Sequence, residues 1–301
     1  MIDHIVDVTQ RAARLSVRYG QLIVEAADGS GCSVPLADLA VLILANAQIS
    51  LTQPVLAALL EAGGVCIVCD SGCRPIGLLA PLVQHHQQTQ RLAAQARAPL
   101  PVRKRLWKQI VRSKIAAQAR TLEQVHGEDF GLRRLIPLVR SGDPANVEAQ
   151  ASQRYWRRLF ADAHFRRDPD RTDQNRYLNY GYAVLRAMTA RALCAAGLHP
   201  SLGIHHHRRD NPFCLADDLM EPFRPLVDRR VVELLRHYRP DAEMSPQLKA
   251  DLLAFLQVRL PLEGEKRTLF DVLARAATSL ADVFLKNRRR LLLPDWNHAA
   301  E

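Results

Sequence analysis

The segment Leu202–Asp228, LGIHHHRRDNPFCLADDLMEPFRPLVD, gathers side chains able to bind a cation or move a proton. His205, His206 and His207 are adjacent, so they cannot all face one point. In a strand the outer two share a side and the middle one opposes them; in a helix they fan apart by about 100° each. One or two of them can serve a single site, and a zinc site of three consecutive histidines is geometrically poor. The acids are better spaced. Asn211-Pro212 predicts a helix entry, with Asn as cap and Pro at the first helical position. A helix from there to Glu221 sets Asp218 three residues, and Asp217 four residues, before Glu221 on one face. Like charges at that spacing repel mildly, which a divalent cation or an arginine such as Arg224 would offset. A solvated acidic face beside Arg208 and Arg209 is the other reading of the same residues. Cys66, Cys69 and Cys73 form a second cluster, but Cys66 and Cys69 in GVCIVCD fall on opposite faces of a strand and a fourth ligand is missing. They read as structural thiols.

These side chains need a scaffold, and the chain offers two kinds. Residues 1–80 read as short strands: RLSVRYGQLIVEAADGSGCSVPL holds strand-like runs around Gly20 and a hairpin turn at Asp28-Gly29-Ser30-Gly31. LAVLILANAQISL has the apolar, β-branched pattern of buried strands. TQPVLAALLEAGG predicts one short helix capped at Thr52 or Gln53 and stopped at Gly63-Gly64. VCIVCD and RPIGLLAP follow as strands joined by Ser71-Gly72. From residue 81 onward glycine is scarce and the periodicity is helical, over 101–125, 146–160, 174–197 and 226–238. In the first of these, Leu106, Ile110, Ile115, Ala119 and Leu122 line one buried face. Tyr155, Trp156, Tyr180 and Tyr182 read as core aromatics. The stretch 166–174, RRDPDRTDQ, reads as a polar, mobile loop. The predicted class is α+β: a β-rich, sandwich-like domain over 1–80 and a mainly α-helical domain over 81–301.

Net charge is +10, and it is uneven: residues 1–100 hold 6 of the 41 Lys/Arg and 7 of the 31 Asp/Glu. The second part is therefore the cationic one, which suits a polyanionic partner such as nucleic acid. No run approaches the length of a membrane span, no secretory h-region opens the chain, and six cysteines read as reduced thiols of a cytoplasmic protein.

The histidine-acid segment resembles the signature of the CRISPR-associated adaptation integrase/endonuclease family (the "Cas-one" proteins), with its Gly-apolar-x-His step and its Asp-x-x-Glu-x-x-Arg-Pro helix end. SGDPANVEAQASQRYW (141–156) resembles the family's Glu-Ala-x-Ala-x-x-x-Tyr-Trp helix through Glu148. LNYGYAVLRAMTARAL (178–193) resembles its Leu-Asn-x-x-Tyr helix through Asn179 and Tyr182, and IVRSKIAAQARTL (110–122) its Lys-Ile-x-x-Gln helix through Lys114 and Gln118. Several motifs in the right order are far more specific than one. The wording LADDLMEPFRP is most similar to members from type II systems, which have a single RNA-guided effector nuclease. The resemblance implies a catalytic, metal-binding triad of Glu148, His206 and Glu221, with Asp218 as a secondary acid. Two carboxylates and an imidazole suit Mg²⁺ or Mn²⁺. It further implies 3′-hydroxyl transesterification that inserts spacer DNA into a CRISPR array, homodimerisation through the small domain, and a small adaptation partner ("Cas-two"), with the effector nuclease as a further candidate partner. Spacer precursor, repeat and branched duplex are the implied substrates, and duplex phosphates would meet Arg103, Lys104, Lys108, Arg112, Arg157, Arg158, Arg166, Arg167, Lys286, Arg288, Arg289 and Arg290. Two rival readings are a structure-selective nuclease acting on branched DNA in repair and a non-catalytic DNA-binding scaffold.

Overall fold

The computed structural model describes residues 4–8, 12–70, 75–81, 85–160, 162 and 164–296. The Ser71-Gly72 turn and Cys73 lie outside the described residues. Among them the first part of the chain forms β1 (His4–Val8), β2 (Ala13–Arg18), β3 (Gln21–Ala26), β4 (Gly31–Pro35), β5 (Leu39–Leu44), β6 (Ser50–Leu51), α1 (Gln53–Glu61), β7 (Val65–Cys69) and β8 (Pro75–Leu79). Tyr19 and Gly20 both take positive φ, the two-residue turn that matches strand twist and closes the β2–β3 hairpin. One sheet runs β4-β3-β2-β6, the other β1-β5-β7-β8. In the second sheet β1, β5 and β7 are parallel and β8 returns antiparallel.

The apolar run of β5 has a two-sided cause. Leu42 and Cys66, paired across β5 and β7, face a small core shared with Leu15 and Leu22 of the other sheet and with Val55 and Leu59 of α1. Val41 and Ile43, with their partners Val65 and Ile67, face the opposite way into the large helical core. A sheet covered on both faces loses the polar alternation of an exposed one.

The helices that follow are α2 (Gln88–Ala96), α3 (Leu100–His126), α4 (Val147–Leu159), α5 (Asn175–Ala195), α6 (Cys214–Met220), α7 (Arg224–Leu234) and α8 (Pro246–Leu253). A hairpin of β9 (Arg259–Leu262) and β10 (Glu265–Thr268) then leads into α9 (Leu269–Phe284). This mixed α+β order is the predicted class. The hairpin is strand structure that the helical reading of the second part does not anticipate. Helix α3 is the spine. It begins after Pro99, ends at Gly127 in the left-handed region with φ 83°, and packs against α4, α7 and the turn before α7. Its stripe of Leu106, Ile110, Ile115, Ala119 and Leu122 is fully buried, as the spacing predicts. Lys114 and Gln118 are buried on the same helix.

Two local expectations change. The helix predicted from Asn211-Pro212 starts only at Cys214. Asn211 spends its side chain on the Phe213 amide at 2.9 Å and on Asp217, while the Pro200 carbonyl accepts the N–H of Leu215 at 2.7 Å and so caps α6 from another segment. The helix also stops at Met220, because Glu221–Phe223 tightens into a 3₁₀ turn. The stretch 166–174, in turn, is tied down in part: Arg167 reaches Asn175 and Asn179 of α5 at 2.9 and 2.7 Å.

Candidate functional site

Glu148, Lys114 and Glu221 meet where α4 and the turn before α7 cross the middle of α3. The α4 start is unusual. Asn146, the preceding residue, lies in the left-handed region and makes no side-chain cap. The Asp143 carboxylate accepts the N–H groups of Val147 and Glu148 at 3.0 and 2.9 Å instead. Glu148 thus stands in the first turn, where the helix dipole favours a negative charge. Its Oε1 accepts a hydrogen bond from the Lys114 ammonium. The same ammonium lies 2.6 Å from Glu221 Oε2, and Arg224 Nη1 donates to Glu221 Oε1 at 2.7 Å. Burial works to raise the Glu221 carboxyl, but Arg224 and then Lys114 overcome it and hold its pKa at about 2. Arg224 in turn lies over the Tyr182 ring, 4.3 Å from its centroid.

The three acids expected on one face therefore diverge. Asp217 turns to Arg186 Nε at 2.6 Å. Asp218, wholly buried, accepts the backbone N–H groups of Ile204, His205 and His206 at 2.6, 2.9 and 3.2 Å, and pairs with His206 Nδ1 at 2.6 Å. Only Glu221 turns to Lys114. The physical reason is the 3₁₀ turn, which removes Glu221 from the α6 register that the spacing argument assumed.

The same loop sorts the histidines. His206 is oriented by Asp218, whose hydrogen bond raises its pKa against the opposing effect of burial; Nε2 is left as the ring nitrogen for a ligand. His205 stacks flat on Trp107, with centroids 4.1 Å apart and rings within 3°, and burial lowers its pKa. His207 lines a separate cavity with Arg103 and Arg208. Gly203 makes the turn possible, since a Cβ there would lie 2.2 Å from the His206 carbonyl oxygen and 3.1 Å from Asp218 Oδ2.

Among the described residues no three His, Cys, Asp or Glu side chains are already gathered as a metal cluster. The Lys114 ammonium stands between the two glutamates instead. The donor chemistry nevertheless fits a hard divalent cation. Glu221 Oε2 is buried without a hydrogen-bond donor in line, although the Lys114 charge touches it, and a carboxylate pair with one imidazole nitrogen suits Mg²⁺ or Mn²⁺. Lys114 must turn aside for such an ion to share both carboxylates.

Behind the site, Asp228 of α7 accepts hydrogen bonds from Tyr155 of α4, at 2.9 Å, and from Tyr182 of α5. It is 2% exposed, and burial raises its pKa to about 6. This acid ties together the helices around the Glu148–Glu221 pair. Its role, like those of Asp143 and Trp107, leaves no signal in local spacing; Lys114 and Gln118 interrupt an apolar stripe and do leave one. Tyr155, Tyr180 and Tyr182 are core residues, and Trp156 is half-buried. Of the predicted phosphate contacts, Arg112 reaches the Pro137 carbonyl, Arg158 lies over Phe130, and Arg167 is held by asparagines. Lys104, Arg157, Arg166, Lys286, Arg289 and Arg290 are exposed, and Arg103, Lys108 and Arg288 half-buried.

The model of the family described as CRISPR associated protein Cas1 matches residues 6–253. The CRISPR-associated endonuclease Cas1 of Neisseria meningitidis serogroup C is 38% identical over 290 residues, 95% of this chain and 94% of that one. Among solved structures, a casposase bound to integration product superposes with a TM-score of 0.81 at 18% identity, covering 99% of this chain and 96% of that one. A Cas6-RT-Cas1–Cas2 complex chain gives a TM-score of 0.76 at 21% identity, over 99% of this chain and 36% of that one.

Proposed function

The chain belongs to the CRISPR associated protein Cas1 family of endonucleases, and on that premise we propose that it is a metal-dependent DNA integrase that inserts spacer DNA into a CRISPR array. The observation that carries the reading is the meeting of Glu148 and Glu221 on one buried positive charge, with His206, oriented by Asp218, within electrostatic reach of Glu221. Glu148, His206 Nε2 and Glu221 would hold Mg²⁺ or Mn²⁺, which, when bound, would polarise a phosphodiester and offset charge building on its oxygens.

The chain's own groups set the stage for that step. Lys114 and Arg224 keep Glu221 ionised at every physiological pH. Asp218 fixes the His206 tautomer by accepting a hydrogen bond from Nδ1–H, which holds the ring in place and leaves Nε2 as the ligating nitrogen. Trp107, 3% exposed, walls the site beneath His205 and His206 and keeps water from that side. A DNA 3′-hydroxyl would attack a repeat phosphorus, the new P–O bond forming as the bond to the repeat strand's 3′-oxygen breaks and that strand leaves as a free 3′-hydroxyl, with the proton of the attacking hydroxyl passing to it overall; with water as nucleophile, the same site would perform hydrolysis. Exposed cations around α3, α4 and the end of α9 would bind duplex phosphates with little base preference. The working assembly would be a homodimer with the small adaptation protein Cas2.

A strand-transfer assay with labelled DNA ends and a repeat-containing plasmid tests this. Joining should vanish with EDTA, and with Glu148→Ala, His206→Ala or Glu221→Ala, while His205→Ala retains most activity. Joining that survives EDTA overturns the metal assignment, and equal loss at both histidines overturns the ligand choice. Metal-dependent cleavage of branched DNA without any joining would favour the repair nuclease instead.

A further inference from the structure

A cavity of about 400 Å³ opens between α3, α7 and the β9–β10 hairpin. Its lining carries Arg120, Arg229, Arg259 and Lys266 and no carboxylate. None of these four belongs to the cations that the sequence marks as phosphate contacts. The same lining has apolar groups, Val258, Pro261 and Trp296, and Pro261 is the cross-strand neighbour of Lys266. Trp296 is fixed in place: its Nε1 donates to Ser113 Oγ at 2.9 Å, and the Asp295 amide donates to the Pro261 carbonyl at 3.0 Å, so this segment lies back against α3.

The cationic side is built under strain. Burial and the neighbouring guanidinium of Arg229 push the Arg120 pKa down, with Arg133 adding to the repulsion and Glu123 and Asp295 opposing it. Arg229 donates from Nη1 to Gln124, yet its Nε is a buried donor with no hydrogen-bond acceptor, the Glu233 carboxylate lying 3.4 Å off. Thr121 and Gln124 add neutral hydrogen-bonding groups to the lining. Like charges gathered on a cavity lining that holds no carboxylate favour an anion there. Apolar groups beside them suit a sugar and base, and the volume lies in the range of small-ligand pockets, about 300–1000 Å³. A lone phosphate would leave those groups bare.

The geometry points to a second nucleic-acid site, in which Arg120, Arg229, Arg259 and Lys266 bind a backbone phosphate of a single DNA strand while its nucleoside lies against Val258, Pro261 and Trp296. This site is separate from the Glu148–Glu221 centre and needs no metal, so it stands or falls apart from the reading above. Its place is still significant: the Thr121 hydroxyl bonds the Pro225 carbonyl, one residue after Arg224, so the cavity backs directly onto the turn that carries Glu221.

The test uses the full chain in EDTA, with a short fluorescein-labelled single-stranded DNA followed by anisotropy between about 0.05 and 0.2 M salt. Arg259→Gln/Lys266→Gln removes two exposed cations without touching the core, and Arg120→Gln probes the interior of the cavity. Circular dichroism melting checks that each variant folds. The double variant should bind the strand about tenfold more weakly, and its slope of log affinity against log salt should become shallower by about 0.7, the loss of one single-strand phosphate contact. Arg120→Gln should weaken binding in the same direction. Unaltered affinity and slope in both cavity variants overturn the proposal. A free deoxynucleoside monophosphate that raises the melting temperature of the wild type but not of the double variant, with strand binding unaltered, would make this a small-nucleotide site and overturn the strand assignment.

Discussion

Replacing Lys114 by methionine isolates what the buried ammonium contributes. Methionine keeps the length and most of the volume of the side chain but leaves Glu148 and Glu221 facing each other with Arg224 as the nearest remaining cation. The Glu221 carboxyl is held at about 2 against an ordinary 4.5. That gap of roughly 2.5 units corresponds to about 3 kcal/mol at 1.36 kcal/mol per unit. Arg224 supplies the larger part and Lys114 the smaller, on the order of 1.5 kcal/mol. The pair with Glu148, whose side chain is 27% exposed, adds on the order of 0.5 kcal/mol after solvent screening. Lys114→Met should therefore lose about 2 kcal/mol at pH 7, a melting temperature lower by roughly 4 °C. The pH dependence carries the sharper signature. A depressed carboxyl contributes stability above its unfolded pKa, and that contribution disappears as pH falls through the folded value. The deficit of the variant should be full at pH 7, begin to close below about pH 4 and be roughly halved near pH 2.5. Urea unfolding at matched pH values measures it. A variant as stable as wild type at pH 7, or a deficit that stays constant down to pH 2.5, would refute the ion-pair reasoning.

Asp228 gives the opposite sign. Its pKa is raised from 3.8 to about 6, so its contribution is full below about pH 4 and is lost as pH rises through 6, a change of about 3 kcal/mol. Asp228→Asn lacks that titration, and its stability relative to wild type should rise by about that amount between pH 4 and 7 in urea titrations; a constant difference would count against a buried carboxyl with a raised pKa. Asp218→Asn removes a carboxylate that serves three backbone N–H groups and His206. Strand joining should fall about 10- to 100-fold, with weaker Mn²⁺ binding by calorimetry, and unchanged metal affinity would show that His206 needs no such support. Gly203→Ala places a methyl group 2.2 Å from the His206 carbonyl oxygen. The loop must move, at a cost of about 1–3 kcal/mol in thermal unfolding, and joining should fall with it; a variant that melts and joins like wild type would mean the turn has room to spare.

Much of this molecule is legible without coordinates. The Gly20 hairpin, the apolar strand LAVLIL and the five buried residues of the α3 stripe follow from rules that act within a few residues: turn sterics, pleat alternation and helical period. The shift of chain texture from strands to helices gives the α+β class, although the β9–β10 hairpin, with Pro261 in one strand and charged residues in the other, escapes it. The residue types of the site are also visible, as a histidine triplet and a run of acids. Their division of labour is not. Local spacing put Asp217, Asp218 and Glu221 on one face, but a 3₁₀ turn and three different partners send them to Arg186, to His206 and to Lys114. Within Leu202–Asp228 the Gly-apolar-x-His step marks His206 only by resemblance; what physically separates it from His205 is the indole of Trp107, from a helix some hundred residues earlier, and the carboxylate of Asp218, from the helix that follows. Sequence fixes which groups are present and which way each element turns its face. Which charge each group meets depends on contacts between distant segments, because electrostatic partners are chosen by distance in space and by burial, and neither is written in the local order of residues.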